Sequence, residues 1–183
     1  MNERIAVFID GSNLYFKLRS PYVDIKHLIK FDYKGLIKWL AQDRDLVHLG
    51  YYVGVVRAEK DNKRNQVLRK QQQRLFSHLT CPAQNFIIKK GYILGNDGIY
   101  HEKGVDVQLS VDLLVGAYED SYDVAIVISS DTDLLPAIKK VKILGKKIIY
   151  VGFSFLPSLA LQKHADFSRL LIKEDLLPFE FHS

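Results

Sequence analysis

Five aspartates stand where carboxylates could share a cation. Asp131 and Asp133 follow VAIVISS, Val124 to Ser130, whose apolar, largely β-branched residues read as a strand buried on both faces. Beyond them Leu134, Ile138, Val141 and Leu144 fall at near-helical spacing, so the two acids sit where a buried strand hands over to a helix. In open α/β sheets that carboxyl end is where ligands bind. Two acids held close together and away from bulk water raise each other's cost of ionisation unless a cation neutralises them, and a hard divalent cation is the natural partner.

The stretch RIAVFIDGSN, Arg4 to Asn13, has the same construction: Asp10 ends an apolar run and Gly11 permits a tight turn. Ser12 or Asn13 could cap a short helix through Leu14, Tyr15 and Leu18. Any one such aspartate is as well read as a loop or capping carboxylate; two strand–acid handovers in one short chain favour shared chemistry, provided the strands are neighbours in one parallel sheet. Asp106 and Asp112 lie in the helical stretch Lys103 to Asp120. Six residues apart, they are separated by about 240° around a helix. Both can serve one centre only if Asp106 lies in the first turn, loosened by Gly104, and Asp112 projects from the flank facing the sheet ends. Asp112 stands among Val111, Leu113, Leu114 and Val115, an expensive place for a charge without a partner. A helix-edge carboxylate paired to a lysine is the alternative reading for each.

These acids need a scaffold, and the rest of the chain supplies alternating strands and helices. After a loop or insertion at Ser20 to Asp32, a helix is expected over Tyr33 to Arg44, with Leu36, Ile37, Trp39 and Leu40 on its apolar side. A strand follows at Leu46 to Val56, then a helix from Lys63 to about Leu79 capped by Asp61 or Asn62. A third strand is expected at Gln84 to Lys90, with a hairpin at Tyr92 to His101 around Asn96, Asp97 and Gly98. Further strands at Lys146 to Phe153 and Phe167 to Ile172 flank a short helix near Leu156 to His164. The alternation predicts one α/β domain over residues 1–183 with a mostly parallel sheet.

The chain has 183 residues, 48% of them hydrophobic, which excludes disorder and leaves room for a single core. Cys81 is the one cysteine, so no internal disulfide is possible. No signal-peptide pattern or apolar run of about 18 residues is present, and a soluble, cytoplasmic protein is expected. The net charge of +5 is concentrated. Arg57, Lys60, Lys63, Arg64, Arg69, Lys70 and Arg74 face only Glu59 and Asp61, so this one segment carries the whole surplus. Clustered cations of this kind neutralise phosphates, although a charged amphipathic helix is often only a solvated face. The six histidines have no metal-ligand spacing. Tyr51, Tyr52 and Tyr92 could stack on bases, or pack as strand tyrosines usually do. In the tail Leu176, Leu177, Phe179 and Phe181 could make a subunit contact in a homo-oligomer or cover the sheet edge.

In order along the chain, FIDGSN (Phe8 to Asn13), KGVDVQLSVDLL (Lys103 to Leu114) and VISSDTDL (Val127 to Leu134) resemble the three signature segments of NYN-domain proteins. These belong to the PIN-like nuclease superfamily, and the similarity is greatest to the bacterial LabA-like branch. The resemblance implies a PIN-like, Rossmann-like three-layer α/β/α sandwich, acids gathered around Mg²⁺ or Mn²⁺, and cleavage of RNA phosphodiester bonds. It places the family's acids on Asp10, Asp106, Asp112, Asp131 and Asp133, with Asn13 as the polar residue after the first. Asp10 and Asp131 are the first candidates for ligands, Asp106, Asp112 and Asp133 complete the shell, and Asn13 or Ser130 orients water or phosphate. Lys103, with Lys63, Arg64, Arg69 and Lys70 of the basic segment, is a candidate nucleic-acid contact. The competing expectations are an RNA-binding or regulatory module with little turnover, and an aspartate-nucleophile phosphatase. The phosphatase motif needs an acid two residues after its nucleophile, where this chain has Ser12.

Overall fold

β1 (Arg4–Asp10) and β5 (Val124–Ile128) are buried along almost their whole length because they lie side by side at the centre of a parallel sheet. The computed structural model describes residues 2–55, 63–96 and 99–181, the side chains of residues 63, 64 and 92–102 excepted. Among these residues the sheet has seven strands. β2 (Asp45–Val55) and β3 (Ile87–Asn96) extend it on one side of β1, with β4 (Ile99–Lys103) antiparallel at that edge. β6 (Lys147–Phe153) and β7 (Phe167–Leu171) extend it beyond β5, all parallel. The strand order therefore reverses direction between β1 and β5, and at such a switch point the loops leaving adjacent strands part to either side and open a crevice.

Both faces of the sheet are covered, as the α/β/α expectation requires. α1 (Gly11–Leu18), α2 (Tyr33–Ala41) and α3 (Lys63–Thr80) bury Leu14, Leu36, Ile37 and Leu79 against Ile5, Val7 and Ile9 of β1. α4 (Val105–Tyr118), α5 (Leu135–Ile143) and α6 (Leu159–His164) bury Leu109, Leu113, Ile138, Val141 and Leu161 against Ala6 and Phe8. Successive strand residues point to opposite faces, so Asp10 follows Phe8 onto the α4–α5 side. By the same alternation Ser129 follows Ala125 and Val127 onto that side. At the opposite end of β1 and β5, Arg4 clasps Asp123 through two guanidinium bonds of 2.7 and 3.1 Å, which hold the Asp123 carboxyl down at about 2.

Several boundaries differ from expectation. Ser20 to Asp32 is an ordered connection: it contains a 3₁₀ turn at Leu28–Lys30 and buries Val23, Ile25, Leu28 and Phe31. The third strand begins at Ile87 rather than Gln84 and runs unbroken into the hairpin, whose turn residues 97–98 lie outside the described residues. Gln84 bonds instead to the Lys34 amide and to Asp32 (both 2.9 Å) at the start of α2. α2 is capped by Asp32 and ends at Ala41, with Trp39 at its exposed edge, 4.7 Å from the Arg169 guanidinium. The expected cap of α3, and with it Arg57 and Lys60, falls outside the described residues. In the tail, Leu176 of α7 (Lys173–Leu176) is fully buried, and Phe179 packs on Phe31 and Trp39. Among the described residues no helix is long and apolar enough to cross a membrane.

Candidate active site

The parallel register pairs Ile9 with Ile128, so one step further Asp10 meets Ser129 at the carboxyl ends of the two central strands. The buried Ser129 hydroxyl donates to Asp10 Oδ2 at 2.9 Å and accepts from the Asp131 amide at 3.1 Å. A single buried hydroxyl thus ties the Asp10 carboxylate to the backbone of Asp131 in the loop after β5. Asp131 Oδ1 accepts from the Asp133 amide at 2.8 Å, capping a 3₁₀ turn at Thr132–Leu134 that leads into α5. Asn13 Nδ2 donates to Ser130 Oγ at 2.7 Å, joining α1 to the same loop. Asp10, Asn13, Ser130, Asp131 and Asp133 are therefore brought into one network. Asp10 is only 7% exposed, Asp131 half-buried and Asp133 exposed, so the group grades from buried carboxylate to solvent.

Asp10, rather than Ser12 or Asn13, is the N-cap of α1: its Oδ1 accepts from the Asn13 amide at 2.9 Å. The strand enters the helix without an intervening loop, so the strand's last side chain is the one placed to cap, and the helix N-terminus favours its negative charge. Gly11 is needed at this junction for a different reason than a turn. A Cβ there would fall 2.8 Å from the Tyr52 carbonyl oxygen and inside the Tyr51 ring, whose hydroxyl donates to the Gly11 carbonyl at 3.0 Å.

α4 approaches the same rim from the hairpin. Lys103, which ends β4, is opposite Tyr92, and Tyr92 is opposite Val55 near the end of β2, so α4 starts level with the carboxyl ends of the parallel strands. Gly104 takes a left-handed φ of 80° to make the corner, a conformation that favours glycine. Asp106 then stands in the first turn, half-buried, and Lys103 is exposed before it. α4 packs against β1, β2, β3 and the Thr132–Leu134 turn. Asp112, a turn and a half deeper, is held from three sides. Tyr52 donates to Oδ2 at 2.9 Å, Gln108 donates to Oδ1 at 2.7 Å, and the Lys89 ammonium lies 3.4 Å from Oδ2. Burial and the Asp112 charge push the Tyr52 hydroxyl's pKa far up, so it remains a donor.

Among the described residues no three His, Cys, Asp or Glu side chains are grouped closely enough to hold a metal ion. The donors along this rim are nevertheless all oxygens, carboxylates with a hydroxyl and an amide beside them, a set that fits Mg²⁺ or Mn²⁺ and no soft metal. Of the basic segment, Arg69 and Lys70 are exposed on α3, and Lys70, Arg74 and His78 line an open cleft with Ile29. The side chains of Lys63 and Arg64 lie outside the described residues. Tyr51 and Tyr52 are buried packing residues, not stacking surfaces, and the Tyr92 side chain is outside the described set.

Ser129 is the site residue that sequence reasoning missed. Two serines in succession gave no reason to prefer it; strand alternation past Val127 would have turned it toward Asp10. Ser129→Ala strips a donor from Asp10 and a partner from the Asp131 amide, and is expected to cost about 1–3 kcal/mol of stability. Were Asp10 and Asp131 to hold Mn²⁺, the variant's affinity for it, followed by titration calorimetry, should fall about tenfold, the scale on which a partner of a metal ligand acts; unchanged affinity would show that Ser129 does not position the acids.

The NYN domain family matches residues 4–171. An uncharacterized protein, MJ0482, of Methanocaldococcus jannaschii is 40% identical over 63 residues, which is 34% of this chain and 26% of that protein, so the match spans about a quarter of its length. The crystal structure of VPA0982, a protein of unknown function from Vibrio parahaemolyticus, superposes with a TM-score of 0.64 at 23% identity over 96% of each chain. The likeness to VPA0982 is one of fold, and that fold is PIN-like. With the three signature segments and the matched span of 4–171, the chain belongs to the NYN domain family of the PIN-like nuclease superfamily.

Proposed function

We propose that this is a metal-dependent ribonuclease of the LabA-like branch, hydrolysing RNA phosphodiester bonds at the rim between β1, β5 and α4. The observation that supports the reading is the Ser129 hydroxyl, which donates to the Asp10 carboxylate and accepts from the Asp131 backbone amide beyond the ends of β1 and β5. Bound there, Mg²⁺ or Mn²⁺ supplies positive charge to the scissile phosphate and makes water a stronger nucleophile at neutral pH. Asp10 and Asp131 would hold the ion. Asp133, from the loop, and Asp106, from the first turn of α4, would add oxygens to its shell directly or through water. Asp112 joins that shell or, through Tyr52, sets the position of α4 against β2. Asn13, oriented by its bond to Ser130, directs water or a phosphate oxygen, and Lys103 meets the phosphate at the mouth.

Single-turnover cleavage of end-labelled RNA with Mn²⁺ or Mg²⁺, against the same reaction in EDTA, tests the proposal. Products are expected only with the cation, and their absence at saturating cation would refute it. Reversing Lys63, Arg64, Arg69 and Lys70 to Glu should weaken RNA binding. The dependence of log affinity on log salt should fall by about 0.7 for each phosphate of a single strand that is no longer neutralised. An unchanged slope would remove α3 from the binding surface. One observation favours the regulatory alternative: Asp112, a candidate ligand, is already occupied by Tyr52, Gln108 and Lys89.

A further inference from the structure

α4 is apolar on two faces. Val105, Leu109, Leu113 and Ala117 are buried in the core shared with the sheet and α5, while Val107, Val111, Val115 and Tyr118 face outward, each between 44% and 67% exposed. The outward four fall at i, i+4, i+8 and i+11, which makes a single stripe along the helix. Asp112, the one charge between Val107 and Tyr118, is turned to Tyr52 and Lys89. The stripe continues onto α5. There the Lys140 ammonium lies 5.8 Å from the centre of the Tyr118 ring, and the exposed Ile143 follows Lys140 by one turn. A helix that is hydrophobic all round is ordinarily covered on every side. Among the described residues, nothing in this chain covers the outer face of α4.

We propose that the outer stripe of α4 is the contact between two copies of this chain, packed antiparallel about a two-fold axis at Val111. The inference goes beyond the ribonuclease reading and does not depend on it. The stripe is self-complementary: Val107 and Val115 stand four residues either side of Val111, so in the pair each valine meets a valine of the second copy. Rows spaced by four are the ridges that interdigitate when helices pack. Charge favours a second copy over an unrelated apolar segment. Lys103 and Glu119, both exposed, stand eight residues either side of Val111, so the cation at the start of one helix comes level with the acid at the end of the other. Glu119 is the C-cap of α4, an end where the helix dipole favours a cation and whose last turn has no basic residue. The second copy supplies one. By the same symmetry Tyr118 of the second copy comes level with Gly104, at the Asp106 end of the rim.

The test is sedimentation equilibrium of the full chain, without RNA or metal, as the wild type and as Val111→Glu. The wild type is expected at twice the chain mass, dissociating on dilution. Val111→Glu sets two like charges face to face on the axis and should raise the dissociation constant about a hundredfold or more. Its site is on the exposed side of the helix, so the circular dichroism of the variant should match the wild type. Cross-linking tests the register separately. In a Cys81→Ser background, which removes the native thiol, Val111→Cys should form a disulfide-linked dimer in oxidised glutathione. Val67→Cys, exposed on α3, should not. A wild type that stays monomeric up to its solubility, a Val111→Glu dimer as tight as the wild type, or cross-linking at Val67 equal to that at Val111 would each overturn the proposal.

Discussion

Asp10→Asn is expected to abolish cation-dependent RNA cleavage while leaving the chain folded. Asparagine has the same shape and is among the best N-cap residues, so the bond from the Asn13 amide survives and α1 keeps its start. What is lost is a negative charge on a side chain only 7% exposed, where water cannot take its place as a ligand. A cation's transition-state stabilisation is worth several kcal/mol, so a rate loss of about 10³-fold or more is expected. Asp10→Ala is the contrasting variant: it removes charge and cap together and should also lower stability by about 1 kcal/mol. Circular dichroism and thermal melting separate the two effects. An active Asp10→Asn enzyme would remove Asp10 from the site.

Gly11→Ala is expected to damage stability and activity together. The new methyl would crowd the Tyr52 carbonyl oxygen at 2.8 Å and collide with the Tyr51 ring. Tyr51 cannot swing aside, because it is 1% exposed and held edge-on by Tyr33 and Phe86, with ring centroids 6.5 and 6.4 Å away. α1 must move instead, taking Asn13 and the Asp10 cap with it. Overpacking of this kind costs about 1–3 kcal/mol, a fall of several degrees in the melting midpoint for a chain of this length. A wild-type midpoint in the alanine variant would mean that the junction yields more easily than its packing implies.

The parts of the fold legible in the sequence were those written in local patterns. Continuous apolar runs marked β1 and β5 as strands covered on both faces, and the Asn96–Gly98 turn residues marked the hairpin. The strand-to-acid handovers located Asp10 and Asp131 because they are local as well. What depends on packing between distant segments was not legible. Gln108 and Asp112 are four residues apart and could be paired by inspection; that Tyr52 and Lys89 also close on Asp112 depends on how α4 crosses β2 and β3. Three good capping residues follow one another at Asp10, Ser12 and Asn13, and only the direct passage from strand to helix selects the first. The tyrosines of β2 could by type alone stack on bases or pack as strand tyrosines usually do, and burial takes them into the core.

The central claim is that Asp10 and Asp131 share one divalent cation, and anomalous diffraction from crystals grown with Mn²⁺ tests it most directly. The account predicts a peak at the carboxyl ends of β1 and β5, about 2.0–2.6 Å from an oxygen of each carboxylate or joined to it through one water. Saturating Mn²⁺ with no such peak between Asp10 and Asp131 would contradict it.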